Sequence, residues 1–223
     1  MTNIQIRQCR TSDKKEIINV CYHCGYYGED AASYFSDKKL FGFLFCSYYP
    51  EYAPENGFVA EIQENNEQKV IGYVISSLNT KQYEERYNKK IKWRILLRLY
   101  FYTFWRYHHD YKIVHRFLKK SEQKTKEDID EMTFWEEYTA HLHIDVLKAY
   151  QRQGIGSKLI KTLENHLISQ NINGVCLGTS EKNEKSIPFY KKHDYELLQT
   201  SKGLGFWSKK EQVKSLYFGK RFD

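Results

Sequence analysis

The sequence contains no internal repeat, no low-complexity linker, no basic arm, and no apolar run that spans a membrane comfortably. The first two absences make one domain, with room for an insertion, the natural organisation of 223 residues. The opening stretch, MTNIQIRQCRTSDKKE, lacks the apolar centre of a secretory leader. The five cysteines are an odd number, so a disulfide framework is not expected. A reducing cytoplasm is the expected location. Without a basic arm, and with 28 acidic residues interspersed among 35 basic ones, the net charge of +7 does not point to nucleic acid. That charge suits an anionic cofactor or an acidic surface equally well. Hydrophobic residues at 41% favour a folded chain over a disordered one, and 19 tyrosines make it unusually aromatic.

Periodicity supplies the elements that are present. IQIRQC alternates as a strand, and SDKKEIINVCYHC reads as a helix ending near Gly25. SYFSDKKLFGFLFCSYY forms a second helical region, closed by Pro50 and Pro54. GFVAEIQ and KVIGYVISS follow as strands, with ENNEQ as the hairpin turn. Residues 80–136 carry no strand signal and read as a mostly helical insertion. Within them, WRILLRLYFYTFWRYHH is interrupted by Arg94, Arg98 and Arg106, so a membrane span is not expected. The expected arrangement is a helix buried against its own domain with the arginines reaching out to solvent. Contact with a membrane interface is the alternative. YTAHLHIDV, residues 152–170 and GVCLGT make a strand–helix–strand unit with parallel strands. SIPFYKKHD continues as a helix with Pro188 near its start, and YELLQ and VKSLYFGKRF close as strands.

The turn in AYQRQGIGSKLI lies between the strand HLHIDV and a helix, as phosphate-binding turns do. A dinucleotide fingerprint needs a third glycine where Leu159 stands, and a P-loop needs Gly-Lys-Ser/Thr where Gly156 is followed by Ser157 and Lys158. The pattern left is Gln-x-x-Gly-x-Gly at Gln151, Gly154 and Gly156. Glycines admit close backbone approach and positive φ, and the first helix amides point at an anion. A purely structural turn is the plain alternative.

The stretch HLHIDVLKAYQRQGIGSKLI, followed by GVCLGTSEKNEKSIPFYKKHDYELL, resembles the GNAT superfamily of acyl-CoA N-acyltransferases over roughly residues 141–198. Asn183, Ser186, Phe189, Tyr190, Lys192 and Tyr195 fall on the second half of that family's pattern. The order of the first three strands agrees. The sequence departs from the pattern at Ser186, where the family usually has Ala, and at Asp194, where it has Gly. The HLHID strand and the long insertion are most similar to a bacterial subgroup related to the acetyltransferase-like domain of O-GlcNAc-removing enzymes.

The resemblance implies an α+β fold: a mixed, twisted sheet of about six or seven strands flanked by helices. It places the helical insertion, at about residues 80–136, between strands 3 and 4. The implied activity is acetyl transfer from acetyl-CoA to a primary amine of a small molecule, amino sugar or peptide, by direct attack in a ternary complex. An inactive acetyl-CoA-binding or protein-interaction module is the alternative. The protein would act as a monomer or homodimer. By the same resemblance, the backbone of Ile144, Asp145 and Val146 pairs with the pantetheine arm, and an amide near Val146 faces the developing oxyanion. Gln151, Arg152, Gln153, Gly154, Ile155, Gly156 and Ser157 hold the diphosphate. Asn183 bonds the cofactor arm, Lys192 faces phosphate, and Ser186 and Tyr190 line the same site. Tyr190 is the expected general acid toward the departing thiolate. His141 and His143 share a strand face and are the expected bases, with Glu137 beside them if the strand reaches so far. No metal is expected: His141-x-His143 lacks a third ligand, and Cys21-x-x-Cys24 lacks a second pair and reads as one buried helix face.

Overall fold

The computed structural model describes residues 4–64, 67–122, 134, 136–202, 206–207 and 213–222. Alternating and β-branched runs form the strands β1 (Ile4–Gln8), β2 (Gly57–Glu64), β3 (Glu67–Ser77), β4 (Ala140–Val146), β5 (Gly174–Ser180), β6 (Glu196–Lys202) and β7 (Lys214–Arg221). They make one seven-stranded sheet in the order β1-β2-β3-β4-β5-β7-β6. Every pair is antiparallel except β4 with β5, the strand–helix–strand unit expected from sequence. The centre of the ENNEQ turn, residues 65–66, lies outside the described residues, but Glu64 and Glu67 are paired on either side of it.

Side-chain alternation divides the sheet into two faces. Tyr73 and Ile75 of β3 point into a layer with α1 (Lys14–Cys24) and α2 (Lys38–Phe45). Ile71 and Val74 point the other way, onto Leu159, Ile160 and Leu163 of α6 (Ile155–Ser169). A short helix, α3 (Tyr48–Tyr52), precedes β2. Asn171, at φ 57°, ends α6 in the left-handed cap conformation, and the Ile172 amide donates back to the Leu167 carbonyl at 3.0 Å. The final helix, α7 (Ser186–Lys192), ends the same way at Asp194, φ 63°. That conformation accounts for the family's glycine here, and Asp is among the residues that tolerate it.

The insertion begins with α4 (residues 80–106), which alternates α-helical turns with wider π turns at Asn88–Lys92 and Leu99–Thr103. α5 (His108–Glu122) follows it. Ile91, Ile95 and Leu99 of α4 are buried in the same layer as α1 and α2. One expectation is corrected here. Arg94 and Arg98 do not reach out to solvent: Arg94 pairs with Glu51 at 2.6 Å, and Arg98 donates to the buried Asp37 at 2.8 Å. Thr103 also donates to Asp37, at 2.6 Å, and Asp110 of α5 accepts the Ser36 and Asp37 amides. Arg106 is exposed as expected, and the apolar side chains of Trp93, Leu97, Phe101 and Trp105 face solvent as well.

Candidate active site

β4 and β5 pair only through Ala140 with Val175 and His141 with Cys176, and then separate. From Leu142 to Val146, β4 is paired on its β3 edge alone. A cavity of about 430 Å³ lies in this opening. His143 and Asp145 reach it from β4, Thr179 and Ser180 from β5, and Cys21 and Cys24 from α1. Aromatic rings from the rest of that layer close it, among them Phe117 of the insertion. Phe206 and Trp207, in the segment SKGLGFW (residues 201–207), pack on Phe35, Phe41 and Phe45 and line the same cavity. Residues 203–205 of that segment lie outside the described residues.

The two histidines share the expected face but differ in surroundings. His143 lines the cavity, with Nδ1 3.0 Å from the Tyr73 hydroxyl and Nε2 3.8 Å from an Asp145 oxygen. The Tyr73 hydroxyl donates to Asp145 at 2.7 Å, so one phenol spans both groups. Burial raises the Asp145 carboxyl above its ordinary range, while His143 and the Tyr73 bond oppose part of that rise. His141 is half-buried with both ring nitrogens engaged: Nε2 with the Tyr49 hydroxyl at 2.7 Å and Nδ1 with Thr80 Oγ1 at 3.0 Å. Burial lowers it to about 4.

Glu137 requires a correction. The strand begins at Ala140, and the Glu137 carboxylate is exposed and pairs with Arg221 at 3.6 Å. Its backbone adjoins Gly174 at the start of β5, whereas the cavity adjoins the end of that strand. Tyr190 of α7 is buried among Phe189, Tyr195 and Phe218. Burial raises its phenol above the ordinary range, and the nearby charge of Asp145 raises it further.

The glycine turn has the conformation its motif demands. Gly154 caps α6 at φ 79°, and a Cβ there would meet nothing within 4 Å, so backbone conformation rather than space calls for glycine. At Gly156 the requirement is contact, since a Cβ would lie 3.2 Å from the Phe189 ring. Arg152 (φ 61°) and Gln153 are exposed, and Ile155 is buried under the first turn of the helix. The Gln151 side chain donates to the Val146 carbonyl at 2.8 Å, tying the turn to the free end of β4. Ser157 Oγ lies 2.9 Å from His193 Nε2, and Lys192 beside it is exposed. Asn183 lines the cavity against Gly28. Ser186 turns inward, donating to the Asn183 carbonyl at 2.8 Å and lying 3.1 Å from Thr179 Oγ1. Ile144 points to the α6 side and leaves its backbone on the open edge.

Sequence reasoning missed Tyr73, Cys21 and Glu29. Tyr73 had a signal, strand alternation, but nothing in the sequence paired it with Asp145. Cys21 Sγ comes within 4.8 Å of ligand atoms on both His143 and Asp145, a trio of metal-type ligands that does not include His141. Two of the three, His143 and Asp145, also bond the Tyr73 hydroxyl. Glu29 pairs with Lys148 at 2.7 Å and with Lys185, joining the loops after β4 and β5. The two lysines hold its carboxyl down to about 2.

The arrangement can bind an extended chain along the free edge of β4, an anion at the α6 turn, and a group beside His143 and Asp145 that gives up a proton. Solved structures share the architecture. SsHAT superposes with a TM-score of 0.73 at 20% identity, covering 98% of both chains. An N-acetyltransferase from Staphylococcus aureus Mu50 gives 0.54 at 15%, again over 98% of each. The Drosophila melanogaster polyamine N-acetyltransferase gives 0.56 at 13%, covering 99% of this chain and all of that one. Residues 25–195 match the acetyltransferase (GNAT) family, so the chain belongs to that family of acetyl-CoA-dependent N-acetyltransferases.

Proposed function

We propose that the protein transfers the acetyl group of acetyl-CoA to a primary amine by direct attack in a ternary complex. The observation that carries this reading is the opening between β4 and β5, where the freed half of β4 brings His143 and Asp145 to a cavity. Acetyl-CoA brings an already activated thioester, so no covalent acyl-enzyme is required. The open edge at Ile144, Asp145 and Val146 takes the amides of the pantetheine arm, with Asn183 across the gap. The Gln151–Ser157 turn takes the diphosphate through the first amides of α6 and its dipole. Lys192 adds positive charge near the same end.

A primary amine is largely protonated at neutral pH and attacks only after losing that proton. His143 and Asp145 accept it, and the Tyr73 hydroxyl holds both in place. Burial of Asp145 favours this role by strengthening its hold on a proton. Attack forms the C–N bond, and a backbone amide near Val146 donates to the oxyanion. As the C–S bond breaks, Tyr190 gives its phenolic proton to the leaving sulfur; the nitrogen of the new amide gives up its remaining extra proton, which restores the phenol, and the base releases its own proton to solvent. His141 has no part in this chain, because both its nitrogens are committed.

The test is Tyr190→Phe. The expected result is a fall in kcat of about 10²-fold with acetyl-CoA affinity unchanged. An unchanged kcat would remove Tyr190 from the chemistry. A wild-type protein that binds acetyl-CoA yet acetylates nothing in a panel of amino sugars, polyamines and peptide N-termini would replace the enzyme with a binding module.

A further inference from the structure

In an α-helix, a row of side chains at i, i+4 and i+8 drifts around the axis by about 40° per step. In α4 two such rows stay straight. Ile91, Ile95, Leu99 and Thr103 are all buried. Two positions on, the opposite row of Trp93, Leu97, Phe101 and Trp105 is exposed by 54%, 47%, 78% and 79%. The π turns at Asn88–Lys92 and Leu99–Thr103 supply the extra residue per turn that cancels the drift. The helix therefore presents an unbroken apolar ridge to solvent, with Tyr100 and Tyr102 also exposed on its flanks. Isolated exposed apolar residues are ordinary, but a contiguous row ending in two tryptophans is not.

Along the ridge itself the charge is of one sign, with the exposed Glu84 and Glu85 lying just before it on the same helix. From Arg86 to His109 there are seven cations and no acid. Arg94 and Arg98 are spent on Glu51 and Asp37. Arg86, Lys89, Lys90, Lys92 and Arg106 are exposed. We infer that this face of the insertion docks on an anionic lipid bilayer, with the ridge in the interfacial layer and the cations against lipid phosphates. Trp and Tyr favour that layer, and each cation near an anionic surface adds attraction. A second copy of the chain fits worse, because a two-fold contact through this face would set the same cations against each other. No helix among the described residues is long and apolar enough to cross a membrane, so the contact is peripheral.

The test is flotation of the full chain with vesicles of phosphatidylcholine alone and of phosphatidylcholine with one-third phosphatidylglycerol. The expected result is binding to the anionic vesicles only, weakened by added salt, with a blue shift of tryptophan fluorescence. F101S/W105S should lower the bound fraction at least tenfold. Both side chains are largely exposed, so the melting temperature should hold. K89E/K90E/K92E should remove the preference for anionic lipid. The inference is overturned by absence of binding to anionic vesicles, by binding that survives F101S/W105S, or by a wild-type dimer that this variant dissolves.

Discussion

The two halves of β4 differ in their neighbours more than in their sequence. His141 is paired on both edges and Ala140 on its β5 edge, and the imidazole there is hydrogen-bonded twice. Leu142 to Val146 are paired on one edge, and the polar side chains there, His143 and Asp145, reach a cavity. One strand thus carries two histidines on one face, two residues apart, in different surroundings: one bonded through both nitrogens, the other lining the cavity. Ending a ladder of hydrogen bonds leaves backbone groups without partners, and a bound chain can supply them.

Substitution on each half should separate chemistry from stability. The largest effect belongs to the open half. Asp145→Asn and His143→Gln should each lower kcat/KM by 10²-fold or more, in the usual range for a lost general base. Burial raises the Asp145 carboxyl, so the wild-type rate should rise with pH as Asp145 loses its proton, and that rise should shift or vanish in both variants. A pH–rate profile unchanged in both would place the base elsewhere.

On the paired half, the effect should fall on stability. His141 titrates near 4 in the folded chain, and an unfolded histidine titrates near 6.5. Between those values the unfolded state takes up a proton that the folded state refuses. His141 therefore destabilises the fold as pH falls from about 6.5 to 4, by about 3 kcal/mol in all. Denaturant unfolding of wild type and His141→Gln should show this as a shallower pH slope in the variant, while its kcat stays within a few-fold of wild type. A collapse of kcat with an unchanged slope would reverse the roles of the two histidines.

A smaller effect is expected at the turn that joins β4 to α6. Gly154→Ala forces a side chain into left-handed backbone at a cost of about 1–2 kcal/mol. Space is free there, so acetyl-CoA affinity should fall about tenfold or less without loss of fold. Titration calorimetry reads this directly, and unchanged affinity would mean that the turn does not hold the diphosphate.

What the sequence revealed, it revealed locally. The strand–turn–helix around Gly154 depends on residues within one turn of each other and was legible, whereas at Asp194 the sequence showed only a departure from the family's glycine. Long-range contacts were not legible. His141 is bonded by Tyr49 and Thr80, 92 and 61 residues away in sequence, and Asp145 meets Tyr73 from 72 residues away. The alternation in HLHID gave the shared face and nothing about which end of the strand would open. Glu137 was misjudged for a related reason, since where a strand begins depends on its partners. The aromatic segment of α4 was legible as helix, but its register needed the π turns. The inward turn of its arginines needed Asp37 and Glu51, which lie outside the insertion.

The most direct measurement is thermal unfolding of the full chain with acetyl-CoA, with NAD and ATP as controls. A ligand held in the opening at about a hundred times its Kd stabilises the fold by about 2.7 kcal/mol. For a chain of this length that raises Tm by about 2–4 °C. The account requires that rise with acetyl-CoA and none with either control. No rise with acetyl-CoA, at concentrations well above a micromolar Kd, would contradict the assignment of the β4–β5 opening and the catalytic roles built on it.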